Sequence, residues 1–522
     1  MNHKASATWN FHRRVYGEDF RYEYFVPMFK AELWDPNRWC DLFAKSGAKY
    51  VVTTANYHDG FAMYPTEYAQ FNETDRWNSV ERGPRRDIIG ELNTAGEKRG
   101  LKMGIYYSVY EWYHPLWKNP DTRTRYVTEH WHPKFKEVVT KYKPWFIFLD
   151  GEWSADHTFW RSAELAAWLY NESPCREYVV VNDRWGKCRG VHGDVYESEY
   201  GGGESCSPEH PWQEDRGMGH SYGYNRAEGI EEYDSAIEMI QMLVRCTANG
   251  GNYLLCVGPT GDGRIPVIMQ ERLLQIGEWL GPHGEAIYGA KASPFWPRQF
   301  DRGFISAKPG KLYLHLFDPK ATSLELTGLK NRVTGARILE HPNETSLKWA
   351  QNDETISFEW PIHLNNDAVT VIALDIEGQP DVDKTQQQSA DGTVNLGCRL
   401  LRIDGKTARV EYGGHGNNAC ITNWTDSNDA VMAQFDLIKP GQYNLQLTYG
   451  TAAKGGSVSV VVGDSRFDHE LAHTGGEKRF KTVTVGKVEF GAPGRHQITI
   501  KPQSDAWSGI GLRSIRLLPA DN

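Results

Sequence analysis

At 522 residues the chain is too long for one hydrophobic core, so two or three domains are expected. Hydrophobic residues at 40% and charged residues at 24% give an ordinary globular composition, and a net charge of −9 with no basic block argues against a nucleic-acid partner. No window is long and apolar enough to span a bilayer, and the N-terminal MNHKASATWNFHRR lacks the apolar centre of a signal peptide.

Up to about residue 290, short β-rich runs alternate with amphipathic helical stretches. The runs are 49–54, 102–108, 144–149, 177–181 and 252–257; the helical stretches are 35–46, 86–99, 158–170, 230–247 and 270–280. Strand and helix in alternation over this length imply a parallel sheet closing into a (β/α)8-like barrel. The run endings support that form. They read Asn56-Tyr57-His58-Asp59-Gly60, Tyr110-Glu111-Trp112, Asp150-Gly151-Glu152-Trp153 and Asn182-Asp183-Arg184-Trp185. Polar and aromatic residues thus gather at the C-terminal ends of strands, where barrel enzymes carry out their chemistry.

The stretch Lys143–Trp153, KPWFIFLDGEW, is the most informative of these. Its apolar run stops at a carboxylate, a glycine and a tryptophan, as expected of a buried strand that delivers an acid to the mouth of a sugar-sized pocket. The plainer alternative is an aspartate that caps the following helix. The 19 Trp and 26 Tyr fit a sugar-binding protein, because flat apolar faces with one polar handle stack on sugar rings, although many must fill cores. Trp77 and Trp112 could line a pocket or pack under loops. Arg85-Arg86-Asp87 reads as a helix start with surface ion pairs.

From about 295 the pattern changes to alternating strands, with 311–317, 323–326, 355–360 and 368–376 suggesting a small antiparallel sandwich over 295–378. Residues 379–393, EGQPDVDKTQQQSADGT with its neighbours, are polar and read as a linker. A second all-β domain is expected over 394–522, with strands at 430–435, 441–449, 457–462, 480–490 and 496–500. The eight cysteines (40, 175, 188, 206, 246, 256, 398, 420) form no CxxC pair and no metal-ligand spacing; Cys398 and Cys420 could pair, though spacing does not show it. Asn-x-Ser/Thr sequons occur at Asn72, Asn171, Asn343 and Asn423.

The segments YGEDFRYEYFVPMFKAE, AKYVVTTANYHDGF, GPRRDIIGEL, LKMGIYYSVYEW, LDGEW, VVVNDRWG, GGNYLLCVGPTGDG and ERLLQIGEWLGPHGEAIYG resemble, in order and spacing, those of the α-L-fucosidases, glycoside hydrolase family 29. The resemblance covers roughly 10–378. It implies a retaining exo-α-L-fucosidase acting on terminal fucose of glycans, with no metal or organic cofactor. Asp150 matches the family nucleophile. Glu199, in GDVYESEYGGGES, matches the acid/base, with Glu197, Glu204 and Glu214 as alternatives. The glutamate of a family Trp-Glu pair falls on Gln213, which cannot donate and retrieve a proton. His58, Tyr106, Arg184 and Tyr222 match sugar contacts, and Tyr57 stands where a second His is usual. Cys256 replaces a usual Asn and reads as packing.

Family members begin with a strand bearing His-Trp-Gly and then a Glu-Trp-Tyr segment, neither of which is found here. The barrel is therefore expected to lack its first strand, with activity impaired. The alternatives to a fucosidase are an exo-glycosidase on a related sugar, such as an α-L-galactoside, and a non-catalytic sugar-binding relative. Family habit points to a periplasmic, lysosomal or secreted location. Residues 394–522 resemble galactose-binding-like carbohydrate-binding modules, with Trp424, Tyr449 and Trp507 as candidate stacking residues for a polysaccharide, core packing being expected of at least one of them and a purely structural sandwich being the rival reading.

Overall fold

The computed structural model describes residues 7–72, 76–187, 189–201, 210–295, 300, 302–317, 324–340, 347–359, 368–383, 385–389, 391–411, 420–452, 456–503 and 507–520. They form two compact units, one reaching residue 288 and the other comprising 247–250 and the chain from 289 onward.

Among the described residues of the first unit, seven parallel strands follow one another: β1 (Tyr50–Asn56), β2 (Lys102–Ser108), β3 (Phe146–Asp150), β4 (Val180–Val181), β5 (Tyr196–Glu199), β6 (Trp212–Gly217) and β7 (Gly251–Cys256). β1 to β4 pair in order, as do β5 to β7, and a parallel bridge from Asn182 to Val195 joins the two sheets. Helices stand between strands, among them Pro36–Lys45, Ile88–Glu97, His132–Tyr142, Ser162–Asn171, Ala236–Ala248 and Val267–Ile287. Three begin at side-chain caps: Asp35 accepts from the Asn37 and Arg38 amides, Asp87 from that of Gly90, and Ser235 Oγ from that of Glu238. Asp87 and Arg86, the latter paired with Glu91, therefore serve the helix start.

The two faces of the strands divide the work. Ile105, Tyr107, Ile147 and Leu149 pack outward under helix residues Phe135, Val138, Leu165 and Leu169. Tyr106, Phe146 and Phe148 point inward with Val52, Val195 and Leu254. β5 and β6 were not visible as strands in the sequence, because YESE and WQEDRG carry almost no apolar residues. Their inward side chains are Glu197, Glu199, Gln213 and Asp215, so the barrel here has a polar interior that hydrophobic patterning cannot reveal.

The helix His132–Tyr142 is preceded by one wide π-turn, Val127–Trp131, in which the His132 amide bonds the Val127 carbonyl. His130 within it and Lys134 beyond it both reach Glu111, at 3.0 and 2.5 Å, and all three are buried. Glu111 also accepts from Asn56 at 3.3 Å, and the Trp112 amide bonds the His58 carbonyl, so this charged cluster ties the ends of β1 and β2 together. Gly60 is required beside it: its φ is +77° and a Cβ would stand 2.6 Å from Glu111 Oε2.

The second unit contains two pairs of antiparallel sheets. A four-stranded sheet (Val333–Ile338, Thr370–Ile376, Lys311–Leu316, Gly303–Lys308) and a three-stranded one (Leu324–Thr327, Thr355–Phe358, Trp349–Asn352) share a core that includes Leu312, Leu314, Leu326, Ile356, Ile372 and Leu374. Further on, two six-stranded sheets enclose Trp424, Phe435, Leu445, Leu447, Ile498 and Ile515. Within 379–393, read as a linker, Gln386 and Gln388 are buried. Gln386–Gln387 pairs in parallel with Ala430–Leu437, and buried Gln388 donates to Tyr443 Oη and the Gly392 carbonyl while accepting from the Ile438 and Lys439 amides. Its polar side chains satisfy backbone groups, a use that composition alone does not distinguish from solvation. Cys398 and Cys420 are both buried.

Candidate active site

β3 ends at Asp150 because Gly151 follows with φ +82°; a Cβ there would lie 2.6 Å from Tyr110 Cδ1. The Gly151 amide donates to Asp150 Oδ1 at 2.8 Å. From the segment after β4, Arg184 enters the rim with 2% exposure, its guanidinium over the Phe148 ring at 5.3 Å. Nη1 donates to Asp150 Oδ1 and Nη2 to Glu199 Oε2, each at 2.7 Å. One guanidinium thus spans the tips of β3 and β5. Burial opposes its charge, but Asp150, Glu152 and Glu199 outweigh this and raise its pKa further. Arg189 supports the cluster, with Nε 3.2 Å from Glu152 Oε1 and Nη2 4.0 Å from Glu199 Oε2.

The remaining expected residues converge on the same rim. Tyr106 Oη donates to Asp150 Oδ2 in a short hydrogen bond, and its ring stacks on Tyr57 at 5.5 Å. Tyr57 is 44% exposed, and burial of its remainder together with Asp150 pushes its phenol up to about 12. Tyr222 Oη lies 3.3 Å from both Glu199 Oε1 and the Asp215 carbonyl. The tautomer of His58 follows from its partner. Ser108 gives its single hydroxyl proton to the Tyr110 carbonyl at 2.6 Å, so His58 Nδ1 must be the donor in its own 2.6 Å contact with Ser108 Oγ. Nε2 is left with a lone pair, 3.5 Å from Asp150 Oδ2. Burial lowers the His58 pKa despite the neighbouring Asp150, which keeps the ring neutral.

Of the alternatives to Glu199, Glu197 lies one layer deeper, 1% exposed, and accepts from Gln213 Nε2 at 2.8 Å while Gln213 accepts from Tyr50 Oη at 2.7 Å. Burial raises its pKa strongly. Glu214 is fully buried on the opposite face of β6, and Glu204 lies outside the described residues. Trp77 is core, its indole donating to the Asp59 carbonyl. Trp112 meets His58 edge-on at 5.8 Å, as does the half-exposed Trp153 at 5.3 Å. Cys256 is a packing residue whose thiol burial pushes up to about 12.

Sequence reasoning missed Arg189 and Asp215 as members of the rim, and gave Glu152 a place in a strand ending but no role. Asp215 could have been found: it stands two residues beyond Gln213, hence on the same strand face. Burial pushes its carboxyl up to about 7, against the pull of Arg184.

A parallel barrel with two strand-tip carboxylates held by one arginine, ringed by Tyr, His and Trp, defines a glycoside hydrolase. The profile of the alpha-L-fucosidase family matches residues 1–285, and that of a domain of unknown function (DUF5077) matches 407–511. The tissue alpha-L-fucosidase of Rattus norvegicus is 41% identical over 362 residues, 67% of this chain and 76% of that protein. An alpha-L-fucosidase of Dictyostelium discoideum is 41% identical over 298 residues, which span 55% of this chain and 62% of the relative. Among solved structures, the Thermotoga maritima alpha-fucosidase in complex with fucose matches with a TM-score of 0.58 and 31% identity, covering 71% of this chain and 86% of that one. A Vibrio alpha-L-fucosidase, 21% identical, shares the fold over 95% of this chain and 89% of its own with a TM-score of 0.69. The chain belongs to the alpha-L-fucosidase family.

Proposed function

We propose that the chain is a retaining exo-α-L-fucosidase that removes terminal α-L-fucosyl residues from glycans. The observation that carries this reading is the Arg184 bridge, which holds Asp150 and Glu199 on the two nitrogens of one guanidinium. Such a span suits the about 5–5.5 Å carboxyl spacing of double displacement better than the wider gap that inverting enzymes leave for water.

In this mechanism Asp150 attacks the anomeric carbon and forms a covalent glycosyl intermediate. Its ionised form is supported by Arg184, Tyr106 and the Gly151 amide. Glu199 protonates the leaving oxygen, then takes a proton from the incoming water. His58 presents the Nε2 lone pair to a sugar hydroxyl, Tyr57 offers an exposed phenol beside it, and Tyr222 lies against Glu199. No cofactor is needed for these steps.

Release of 4-nitrophenol from its α-L-fucoside by the unaltered chain, abolished in Asp150→Ala, is the expected result. Equal turnover by the variant would sink the mechanism, and a faster α-L-galactoside would change the sugar assigned.

For the C-terminal sandwich we favour a structural role over polysaccharide binding. Trp424 and Tyr449 are completely buried, Trp507 packs on Trp424 with its indole bonded to the Trp424 carbonyl, and no aromatic ring of the described residues there is exposed. Deleting 394–522 is expected to leave retention on fucosylated polysaccharide gels unchanged; lost retention would restore the binding-module reading.

A further inference from the structure

The proposed mechanism leaves one problem. A general acid must enter the reaction carrying a proton, yet Glu199 accepts from Arg184 at 2.7 Å, a contact that stabilises its carboxylate. The barrel places a second acid beside it. β5 and β6 pair in parallel with Glu199 opposite Asp215, so both side chains leave the sheet on the inward face, on strands about 4.8 Å apart. Asp215 is half-buried and, among the described residues, has no basic side chain within ion-pair distance.

We propose that Asp215 is a positioning residue that shares one proton with Glu199 and keeps that proton in the pocket until Glu199 delivers it to the leaving oxygen. This rests on the fucosidase reading above.

The surroundings favour Asp215 as the resting holder. Facing it are Glu199 and the deeper Glu197 from β5, Asp150 from β3 and Cys256 from β7. Arg184, whose two terminal nitrogens are engaged elsewhere, and Tyr222 also act on it, as do Tyr200, Tyr50 from β1 and, through space, the charge of Glu214. Its strand neighbours Glu214 and Arg216 lie on the other face, where Arg216 covers the Tyr200 ring. Arg184, the cation that acts most on Asp215 among the described residues, is thus already bonded to two other carboxylates. Burial and these like charges keep the Asp215 carboxyl protonated up to about pH 7, whereas a carboxyl bonded to a guanidinium does not need the proton. The transfer balances. A proton passes from Asp215 to Glu199 and on to the glycosidic oxygen as Asp150 bonds the anomeric carbon and the alcohol departs neutral. In the second half the attacking water gives its proton to Glu199, and the pair recovers it.

The test compares pH profiles of kcat/KM for the full chain, Asp215→Asn, Asp215→Ser and Asp215→Glu, on 4-nitrophenyl and 4-methoxyphenyl α-L-fucosides. Without the reservoir the proton is lost at lower pH, so the alkaline limb is expected to move down by about one pH unit or more in both the Asn and Ser variants. The loss in kcat should be greater for the methoxyphenyl substrate, which needs protonation, with KM little changed, and Asp215→Glu should restore the limb. Using two replacements guards against one of them failing to fold, which thermal melting detects. An alkaline limb that coincides with that of the unaltered chain overturns the proposal. So does azide-dependent formation of fucosyl azide by Asp215→Ala, which would make Asp215 the acid itself. No turnover by the unaltered chain would instead overturn the fucosidase reading.

Discussion

Replacing Lys134 with Met should unfold the barrel at markedly lower temperature, and the size of the effect follows from its surroundings. Lys134 is 0% exposed, and its ammonium lies 2.5 Å from Glu111 Oε1. Burial alone would raise the Glu111 pKa; Lys134 and then His130 reverse this and hold it at about 2 against an ordinary 4.5. That difference corresponds to about 3 kcal/mol of coupling between ionisation and folding. Removing the lysine leaves a buried carboxylate without its counter-charge, a change that costs roughly 3–5 kcal/mol. For a unit of this size the expected drop in melting temperature is about 10 °C. Calorimetry of the full chain, with Lys98→Met as a surface control, measures it. The pH dependence provides a second readout. Because the folded pKa is depressed, the contribution of Glu111 is complete above about pH 4.5 and is lost as pH falls toward 2. In Lys134→Met that acid-side slope should flatten. A Lys134→Met melting shift no larger than that of Lys98→Met would refute the assignment of this cluster as the tie between the ends of β1 and β2.

Three further outcomes are expected. Glu199→Gln should lower kcat/KM on the order of 10²–10⁴-fold for a fucoside with a poor leaving group, and azide should restore turnover to Glu199→Ala; no restoration would remove Glu199 from the role. Burial pushes His114 down to about 3, so its contribution to stability is full above about pH 6.5 and declines as pH falls toward 3. Urea midpoints at pH 7 and 5.5 should differ less in His114→Phe than in the unaltered chain. Gly151→Ala forces a positive φ on a residue with a Cβ, costing roughly 1–2 kcal/mol, and disturbs the amide that supports Asp150; a full kcat and an unchanged melt would show that the turn tolerates it.

Much of this site was legible in the sequence because strand ends concentrate it. Asp150, His58, Tyr106 and Arg184 each lie at or just past an apolar or β-branched run, which marks both the strand and its C-terminal tip. Glu199 lacked such a marker. Its strand is built of charged residues, and only the family resemblance pointed to it. Asp215 was missed for the same reason, since a polar barrel interior hides the alternation that reveals a strand. The pairing of Glu199 with Asp215 is a matter of register between strands, and no single-strand pattern encodes that. Elsewhere composition misled. The glutamines at 386–388 looked like solvated linker but bond backbone, and Trp424 and Tyr449 looked like sugar platforms but fill a core.

The wide turn at Val127–Trp131 has a consequence for how this segment can change. Each residue of ordinary winding advances a helix by about 100°, so adding or deleting one residue between the wide turn and Lys134 would swing Lys134 away from Glu111 by that angle. Lysine and histidine could both be kept and the counter-charge would still be lost. Substitutions in this stretch are open to compensation from neighbouring side chains, whereas a change in its length is not. What the sequence must preserve between Tyr126 and Lys134 is therefore a count of residues as much as their identity.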